Sequence, residues 1–289
     1  MNTRHTDRVT GTLIMIAAVL VLSPDALLIS VIQADAWALV FWRGSLTAAT
    51  LTVSLVVVHG RDTLREGLRM GLPGIVAGTF FACSTLSFVL SVRLTAAANT
   101  LVIIAAMPLF AALLTRLFLG EKVPGRTWLA VAAGLGGIAV VFSGSLARGN
   151  LVGDLLAMVT AVLMAANFVI IRKNRRVSMI PAVVLGGLLT TTVTFFLTDP
   201  MRVSNTDILL LAAMGAVVLP VPLSLMTVAP KMIPAPEVGL IMLLETFLGP
   251  LWVWAAIGER LGVETILGGG ILVFTLVLHA LAGMREQRG

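Results

Sequence analysis

Long apolar runs recur along the whole of this 289-residue chain, and they constrain its fold more than any other feature. The hydrocarbon core of a bilayer is about 30 Å thick, and a helix crosses it with about 20 apolar residues. Runs near that length stand between charged residues or Pro and Gly breaks, which predicts an all-α integral membrane protein with ten transmembrane helices. The predicted helices are Val9–Ser30, Ala36–Val58, Met70–Val92, Thr95–Leu117, Thr127–Phe142, Leu151–Ile171, Pro181–Leu197, Asp207–Ala229, Ala235–Ile257 and Glu264–Gly283.

Composition supports a membrane environment for the whole chain. Hydrophobic residues make up 58% of the sequence and charged residues only 12%, about half the charged fraction of a soluble domain. The single cysteine, Cys83, excludes an internal disulfide framework and a cysteine-based zinc site. The sequence contains no Gly-Lys-Ser/Thr phosphate loop and no histidines paired on one helix face. We therefore expect no enzymatic activity, no cofactor, no metal and no nucleic-acid partner.

Lysine and arginine residues indicate how the chain is oriented. Most of the 20 lie at the termini and in alternate connections between the predicted helices. Because cytoplasmic loops carry the excess of positive charge, both termini are predicted to be cytoplasmic. The polar N-terminus leads into the first apolar run without a cleavage site, so we interpret that run as a retained helix. The predicted location is a bacterial-type inner (plasma) membrane, which the chain crosses many times.

Similar segments in the two halves suggest an internal duplication. LFLGEKVPG (Leu117–Gly125) and AAIGERLGV (Ala255–Val263) each place Gly-Glu and a basic residue directly after a long apolar run. Two further pairs follow in the same order: GTLIMIAAVLVL at 11–22 with GDLLAMVTAVLM at 153–164, and RGSLTAATL at 43–51 with GGLLTTTVT at 186–194.

The duplication predicts the arrangement of the helices. Each half holds five helices, an odd number, so the second half must enter the membrane from the opposite side. The expected fold is two inverted-topology five-helix repeats, 1–148 and 149–289, around a central cavity. Such repeats are typical of transporters that alternate access between the two sides of a membrane. The alternative is a duplication that only builds a stable bundle.

Two longer stretches resemble a known transporter family. FVLSVRLTAAANTLVIIAAMPLFAALLTRLFLGEKVPGRTWLAVAAGLGGIAVV (Phe88–Val141) is similar to the repeat unit of the drug/metabolite transporter superfamily, EamA family. That unit has a proline-bearing helix, a Gly-Glu turn and a Gly-rich last helix. LLETFLGPLWVWAAIGERLGVETILGGGILV (Leu243–Val273) resembles it in the second half, but has Thr246 where the family often has proline.

The resemblance extends over nearly the whole chain and, within the superfamily, is greatest to YddG-type exporters of aromatic and other neutral amino acids. It implies a secondary transporter whose partners are a small-molecule substrate, an amino acid or similar metabolite, and the lipid bilayer.

An ionisable residue inside a predicted helix costs about 2.5–3.5 kcal/mol on insertion scales, and three such residues stand out as candidates. Arg43 could bind a substrate carboxylate, form a structural pair or extend to the lipid headgroups. Glu245 could bind a substrate ammonium or a coupling proton, pair with Arg43, or form a hydrogen bond with a neighbouring helix. Asp25 is interpreted mainly as a solvated helix-end group or a polar contact.

Prolines predict where the helices bend. A proline removes a helical hydrogen bond, which is tolerated at membrane depth where protein or a water-filled cavity covers the freed carbonyl. LPVP (Leu219–Pro222) is therefore predicted to break the eighth helix, and FACS (Phe81–Ser84) to make the third irregular at the corresponding place. The predicted hinge residues are Pro24, Pro108, Pro220 and Pro222.

These irregular helices predict a cavity lined by helices three, four, eight and nine, with one and six contributing. Phe80 and Ser84 share one face of the third helix, and Asn167 in the sixth corresponds to Asp25 in the first. For Phe80, Ser84, Asn99 and Asn167, packing or hydrogen bonding between helices is the competing interpretation. The candidate substrate-binding residues are Arg43, Phe80, Ser84, Asn99, Asn167 and Glu245.

Glycines in the fifth and tenth helices, at 134, 136, 137 and 268–270, allow close approach of helices. We interpret them as packing of one half on the other, which favours a monomer over a homodimer. The predicted function is export of amino acids or similar small metabolites by alternating access, and Arg43 with Glu245 favours a zwitterion. The alternatives are a transporter of drug-like cations or sugar phosphates from the same superfamily, and a membrane scaffold or receptor that transports nothing.

Overall fold

The regular structure of the protein is helical in every part that the computed structural model describes, which is residues 2–60, 63–120, 125–148, 150–174, 177–228, 232, 235–259 and 261–286. The helices are α1 (Asn2–Leu22), α2 (Asp25–Val31), α3 (Ala36–His59), α4 (Thr63–Arg69), α5 (Gly71–Leu94), α6 (Ala97–Ile104), α7 (Met107–Leu119), α8 (Gly125–Arg148), α9 (Leu151–Lys173), α10 (Ile180–Phe195), α11 (Asn205–Ala213), α12 (Pro220–Val228), α13 (Ala235–Ile257) and α14 (Val263–Glu286). A π-helical turn, Met214–Val218, lies between α11 and α12.

The apolar runs form the predicted helices. Eight segments are long and apolar enough to cross a membrane: Val9–Val31, Ala36–Val58, Gly71–Leu94, Ala97–Leu119, Thr127–Leu146, Leu151–Lys173, Asn205–Met226 and Val263–Ala282. Two shorter apolar helices, Ile180–Phe195 and Ile241–Ile257, lie at the seventh and ninth predicted runs. The prediction of an all-helical membrane protein is therefore confirmed.

The glycines of the two Gly-Glu motifs end their helices in the same way. Gly120 follows α7 with a φ of 65°, and Gly258 follows α13 with a φ of 68°. This left-handed conformation favours glycine and is common directly after a helix. The repeated glycine thus stops a helix at equivalent points of the two halves. Glu121, Lys122 and Arg260 of the motifs lie outside the described residues.

Three of the ten predicted transmembrane segments are interrupted, and they are numbered here as in the prediction. The first breaks at Ser23–Pro24 between α1 and α2, and the fourth at Ala105–Ala106 between α6 and α7. The eighth changes from α11 through the π-helical turn to α12, which begins at Pro220. Each interruption changes the direction or register of the chain inside the bundle.

All four predicted hinge prolines lie at these interruptions. Pro24 directly precedes α2, and Pro108 lies in the first turn of α7. Pro220 and Pro222 lie in the first turn of α12. A proline in the first turn removes an N–H group that has no partner within the helix, so these positions accept it without loss of a helical hydrogen bond.

The predicted irregularity of the third helix is wrong. Helix α5 runs without interruption through Phe81–Ser84. This stretch has no proline, and the Ser84 hydroxyl donates to the Phe81 carbonyl within the same helix at 2.9 Å. Helix α13 is also continuous, with Pro250 inside it. The interruptions therefore lie in the first, fourth and eighth segments, not in the third and eighth.

Glycines bring helices together at several crossings, among them α3 with α10 and α8 with α14. Where α3 meets α10, a Cβ added to Gly187 would lie 2.7 Å from the Gly44 carbonyl oxygen. Where α8 meets α14, a Cβ added to Gly137 would lie 2.7 Å from the Gly268 carbonyl oxygen. Only residues without a side chain allow helices to approach so closely. The glycine-rich parts of the fifth and tenth predicted helices thus pack on each other within one chain.

Hydrogen bonds tie several connections together at one end of the bundle. The Arg93 guanidinium, at the end of α5, donates to the carbonyls of Ile32 at 2.6 Å and Ala34 at 3.1 Å. The backbone N–H of Gln33 donates to Asp207 Oδ1 at 3.1 Å. The α2–α3 connection is therefore held between the end of α5 and the start of α11.

Candidate functional site

Arg43 and Asp25 form a buried ion pair with each other. Arg43 Nη1 donates to Asp25 Oδ1, and Nη2 donates to Oδ2 at 2.8 Å. Arg43 is 6% exposed and Asp25 5%. The break after α1 makes Asp25 the first residue of α2, from which its side chain reaches α3. The sequence predicts for Asp25 either a solvated helix-end group or a polar contact near the kink; the structure shows a buried polar contact, with Arg43 as the partner.

Further contacts hold the guanidinium of Arg43 in place. Its Nη1 lies 3.6 Å from the sulfur of Met214, the first residue of the π-helical turn. Its carbon Cζ lies 5.5 Å from the centre of the Phe88 ring on α5, within cation–π range. One turn further along α3, the Thr47 hydroxyl donates to the Gly215 carbonyl at 3.3 Å. The interrupted eighth segment therefore packs directly on the ion pair, and π-helical turns occur frequently at functional sites.

Glu245 is a third charged residue beside this pair. It lies deep in the protein, near the middle of α13, and interacts electrostatically with both Asp25 and Arg43. Part of its side chain stays accessible, and it has no hydrogen-bond or ion-pair partner among the described residues. Helix α13 packs on α2, and Trp252 of α13 donates to the Ser23 hydroxyl at 2.9 Å. Glu245 therefore approaches the pair without joining it.

One face of α5 extends towards the same site. Phe80 is partly buried, and Ser84 is buried with its hydroxyl bonded inside its own helix. The i, i+4 spacing that selected these two residues continues to Phe88, which contacts Arg43. Phe88 is not among the predicted site residues, although the same periodicity would have selected it.

Asn99 belongs to a second polar cluster. Its Nδ2 donates to Ser145 Oγ at 2.9 Å, Thr95 Oγ1 at 3.3 Å and Asp154 Oδ1 at 3.5 Å. Its Oδ1 accepts from the Thr265 hydroxyl. The Thr95 hydroxyl also donates to Asp154 Oδ1, at 2.7 Å. We call these five residues the Asn99 network. It joins α6, α8, α9 and α14 and occupies both ends of the Asn99 amide, so this geometry favours packing over substrate binding.

Two buried polar atoms on α9 remain unsatisfied. Asp154 is fully buried in the first turn of α9, and its Oδ2 has no hydrogen-bond partner in the described part of the chain. The positive end of the helix dipole favours a carboxylate there. Asn167 Oδ1 is likewise buried without a partner, and no hydrogen bond between described residues links it to Arg43 or Asp25. In the ranges that the structure covers, His, Cys, Asp and Glu form no group of three or more that could hold a metal ion.

The glutamate of the second Gly-Glu motif contacts the other half of the chain. Glu259 Oε1 accepts from the backbone N–H of Ala97, the first residue of α6, at 3.1 Å. Burial raises the pKa of Glu259, and hydrogen bonds from the N–H groups of Ala97 and Ala98 oppose that shift more weakly. Glu259 thus satisfies the exposed start of the helix that carries Asn99.

Comparison with known proteins supports a transporter. Residues 9–143 match the sequence profile of the EamA-like transporter family, which is a family of membrane transporters and not of enzymes. No curated protein sequence matches the chain significantly. One protein crystal structure superposes with a TM-score of 0.67 over 95% of this chain and 98% of its own, at 19% sequence identity. That similarity shows a shared fold and nothing about substrate.

Proposed function

We propose, on the premise of the EamA-like transporter domain in residues 9–143, that this protein is a secondary transporter exporting amino acids or similar small metabolites by alternating access. A membrane transporter family implies a small-molecule substrate and a lipid bilayer. The observation that carries the proposal is Glu245, a carboxylate beside the Arg43–Asp25 pair at membrane depth that has no hydrogen-bond or ion-pair partner in the described part of the chain. Ionisable residues in such positions mark substrate or ion pathways.

Helix contacts support two inverted repeats over residues 1–148 and 149–289. In such an arrangement the sixth predicted helix repeats the first, and the eighth repeats the third. A contact between the third and sixth helices must therefore have a counterpart between the eighth and first. Both contacts are present, since α5 packs on α9 and α12 packs on α1. The second–seventh and fifth–tenth pairs map onto themselves, and both are glycine crossings.

The Gly-Glu motifs fit the same symmetry. Ala97 and Ala235 are the first residues of α6 and α13. Their separation in sequence equals the separation between Glu121 and Glu259. Because Glu259 accepts from the Ala97 amide, the repeat predicts the same part for Glu121 towards Ala235 at the other end. Each motif would then cap an interior helix of the opposite half.

Alternating access would proceed by rocking of the two halves about the site. The interruptions in the first, fourth and eighth segments are the places where the chain can bend. The Glu259–Ala97 contact joins the second half to the first at the end predicted to be external. It must part when that end opens, so the structure corresponds to a state in which this contact is closed.

Glu245 is the residue proposed to receive the substrate ammonium or a coupling proton. Arg43 supports the site through Asp25, since both of its terminal nitrogens face that carboxylate. Anionic substrates such as sugar phosphates are disfavoured, because the only central cation in the described helices is already paired.

Counterflow in proteoliposomes tests the proposal. Purified wild-type protein should exchange at least one labelled amino acid from a panel, and Glu245→Gln should lose most of that exchange. Asp199→Asn is the matched control, since it removes a carboxylate from an exposed pair with Arg202 at 3.3 Å. No exchange of any amino acid by the wild type would support the scaffold alternative instead.

Cysteine accessibility tests the inverted repeat. After Cys83→Ser removes the single native cysteine, cysteines placed singly at positions 121 and 259 should be labelled from opposite sides of the membrane. Labelling of both from one side would overturn the two-repeat topology without deciding whether the protein transports.

A further inference from the structure

We infer that the site recognises the ammonium group of its substrate through Glu245 and does not recognise a carboxylate, so that its substrates are small organic amines, with amino acids as one subclass. This inference rests on the proposed transport function and specifies the substrate class of the same site.

The two terminal nitrogens of Arg43 are already engaged by a carboxylate of the protein. Both terminal nitrogens are directed at the two oxygens of Asp25, and Nη1 also lies against Met214. The Phe88 ring lies within cation–π range of the guanidinium. A fork-to-fork pair between guanidinium and carboxylate is among the strongest side-chain interactions. A substrate carboxylate that took this two-nitrogen pairing would have to displace Asp25 and leave it buried without a partner, which is strongly unfavourable.

The charges at the site do not balance when Glu245 is ionised and no ligand is bound. Arg43 and Asp25 neutralise each other, which leaves the charge of Glu245 uncompensated. In the described membrane segments, the other lysines and arginines lie near the ends, at positions 93, 116, 172 and 173. The described segments therefore supply no second cation at the depth of Glu245. One ammonium group on the ligand restores neutrality and donates hydrogen bonds to the two Glu245 carboxylate oxygens, which accept none from the described residues.

The surroundings of the Arg43–Asp25 pair suit the rest of such a ligand. The face of α5 that reaches Arg43 carries the aromatic rings of Phe80 and Phe88 on either side of Ser84, whose hydroxyl is engaged by its own helix. These rings favour an apolar side chain on the amine. A ligand's own carboxylate, when present, has no cationic group to meet here and must remain hydrated.

A series of analogues separates the two ends of the substrate. Proteoliposomes containing the full chain are loaded with the labelled amino acid that gives the largest counterflow. The external compounds are that amino acid, its methyl ester, its decarboxylated amine and its N-acetyl derivative. The ester and the amine should drive exchange about as well as the parent compound. The N-acetyl derivative should be roughly 10- to 100-fold weaker, the factor expected for losing a charged hydrogen bond.

Variants test whether Glu245 is the group responsible. In the exchange that remains, Glu245→Gln should show a smaller preference for free amines over the N-acetyl compound, whereas Asp199→Asn should leave this preference unchanged. The wild-type analogue series decides the question even if Glu245→Gln does not fold. Exchange driven by the N-acetyl derivative but not by the ester or amine would overturn the inference. Arg43 would then be the candidate group for the substrate carboxylate, and Glu245 the candidate for a proton. In that case the proposed transport function would stand; absence of all exchange would remove both.

Discussion

The Asn99 network and the Arg43–Asp25 pair with Glu245 are two buried polar clusters of the same protein that differ in the groups bonded to their carboxylates. In the Asn99 network, neutral hydroxyl and amide groups from several helices bond to one another and to Oδ1 of Asp154, whose Oδ2 has no partner among the described residues. In the Arg43 cluster, two charges satisfy each other and a third is left beside them. The first arrangement fixes helices relative to one another. The second leaves one charge available to a ligand, which is why we place the transported substrate there.

The largest expected effect comes from breaking the ion pair. Arg43→Gln leaves Asp25 buried next to Glu245, and removing one partner of a buried pair costs about 3–5 kcal/mol. Denaturant unfolding in detergent should show that loss. The double variant Arg43→Gln/Asp25→Asn should recover much of it, because no unpaired charge remains at the pair. Single and double variants of equal stability would show that the two residues are not coupled.

A smaller effect is expected from the Asn99 network. Asp154→Ala removes the acceptor of Thr95 and Asn99, and leaving buried donors unsatisfied costs about 1–3 kcal/mol. Asp154→Asn keeps an acceptor oxygen and should be milder. Both variants, compared at equal amounts of folded protein, should retain counterflow. Loss of counterflow in a fully stable Asp154→Asn would place Asp154 in the transport pathway and erase the contrast between the clusters.

The smallest effect is a pH dependence at Glu259, which borders the Asn99 network through Ala97. Burial holds the pKa of Glu259 above its ordinary value, so the folded state binds the proton more tightly than the unfolded state. The stability from this group is fully present below the ordinary pKa and is lost as the pH rises through the raised one. Unfolding measured across that window should show the slope in wild type and a flatter profile in Glu259→Gln. Equal profiles would mean that Glu259 does not sense burial.

Periodicity and residue type predicted much of the fold. Apolar runs located the helices, Gly120 and Gly258 marked helix ends, and Gly137 and Gly268 marked a close crossing, because each of these depends on local chemistry. The ion-pair partner of Arg43 depends on where the helix breaks place the candidate carboxylates. The break at Pro24 puts Asp25 in front of Arg43. No spacing in the sequence predicts that Arg43 pairs with Asp25 and not with Glu245.

Asn99 and the FACS stretch show a related limit. A polar residue inside an apolar run predicts a buried hydrogen bond, but it does not predict whether the partner is a substrate or another helix. Only the positions of Ser145 and Thr265, far away in sequence, decide the matter for Asn99. At Phe81–Ser84, correspondence between the halves suggested a bend, but without a proline the local hydrogen bonds keep α5 regular.

The π-helical turn at Met214–Val218 gives the eighth segment one residue more than a regular helix would need there. Each residue advances an α-helix by about 100° around its axis, so deleting a single position from this turn would join α11 and α12 smoothly while spinning all of α12 by that angle. Met214 would then leave the guanidinium, and the side chains of α12 would face new neighbours. Length at this point is therefore as strictly set as sequence, and natural insertions or deletions should be far rarer here than in the connections at the bundle ends.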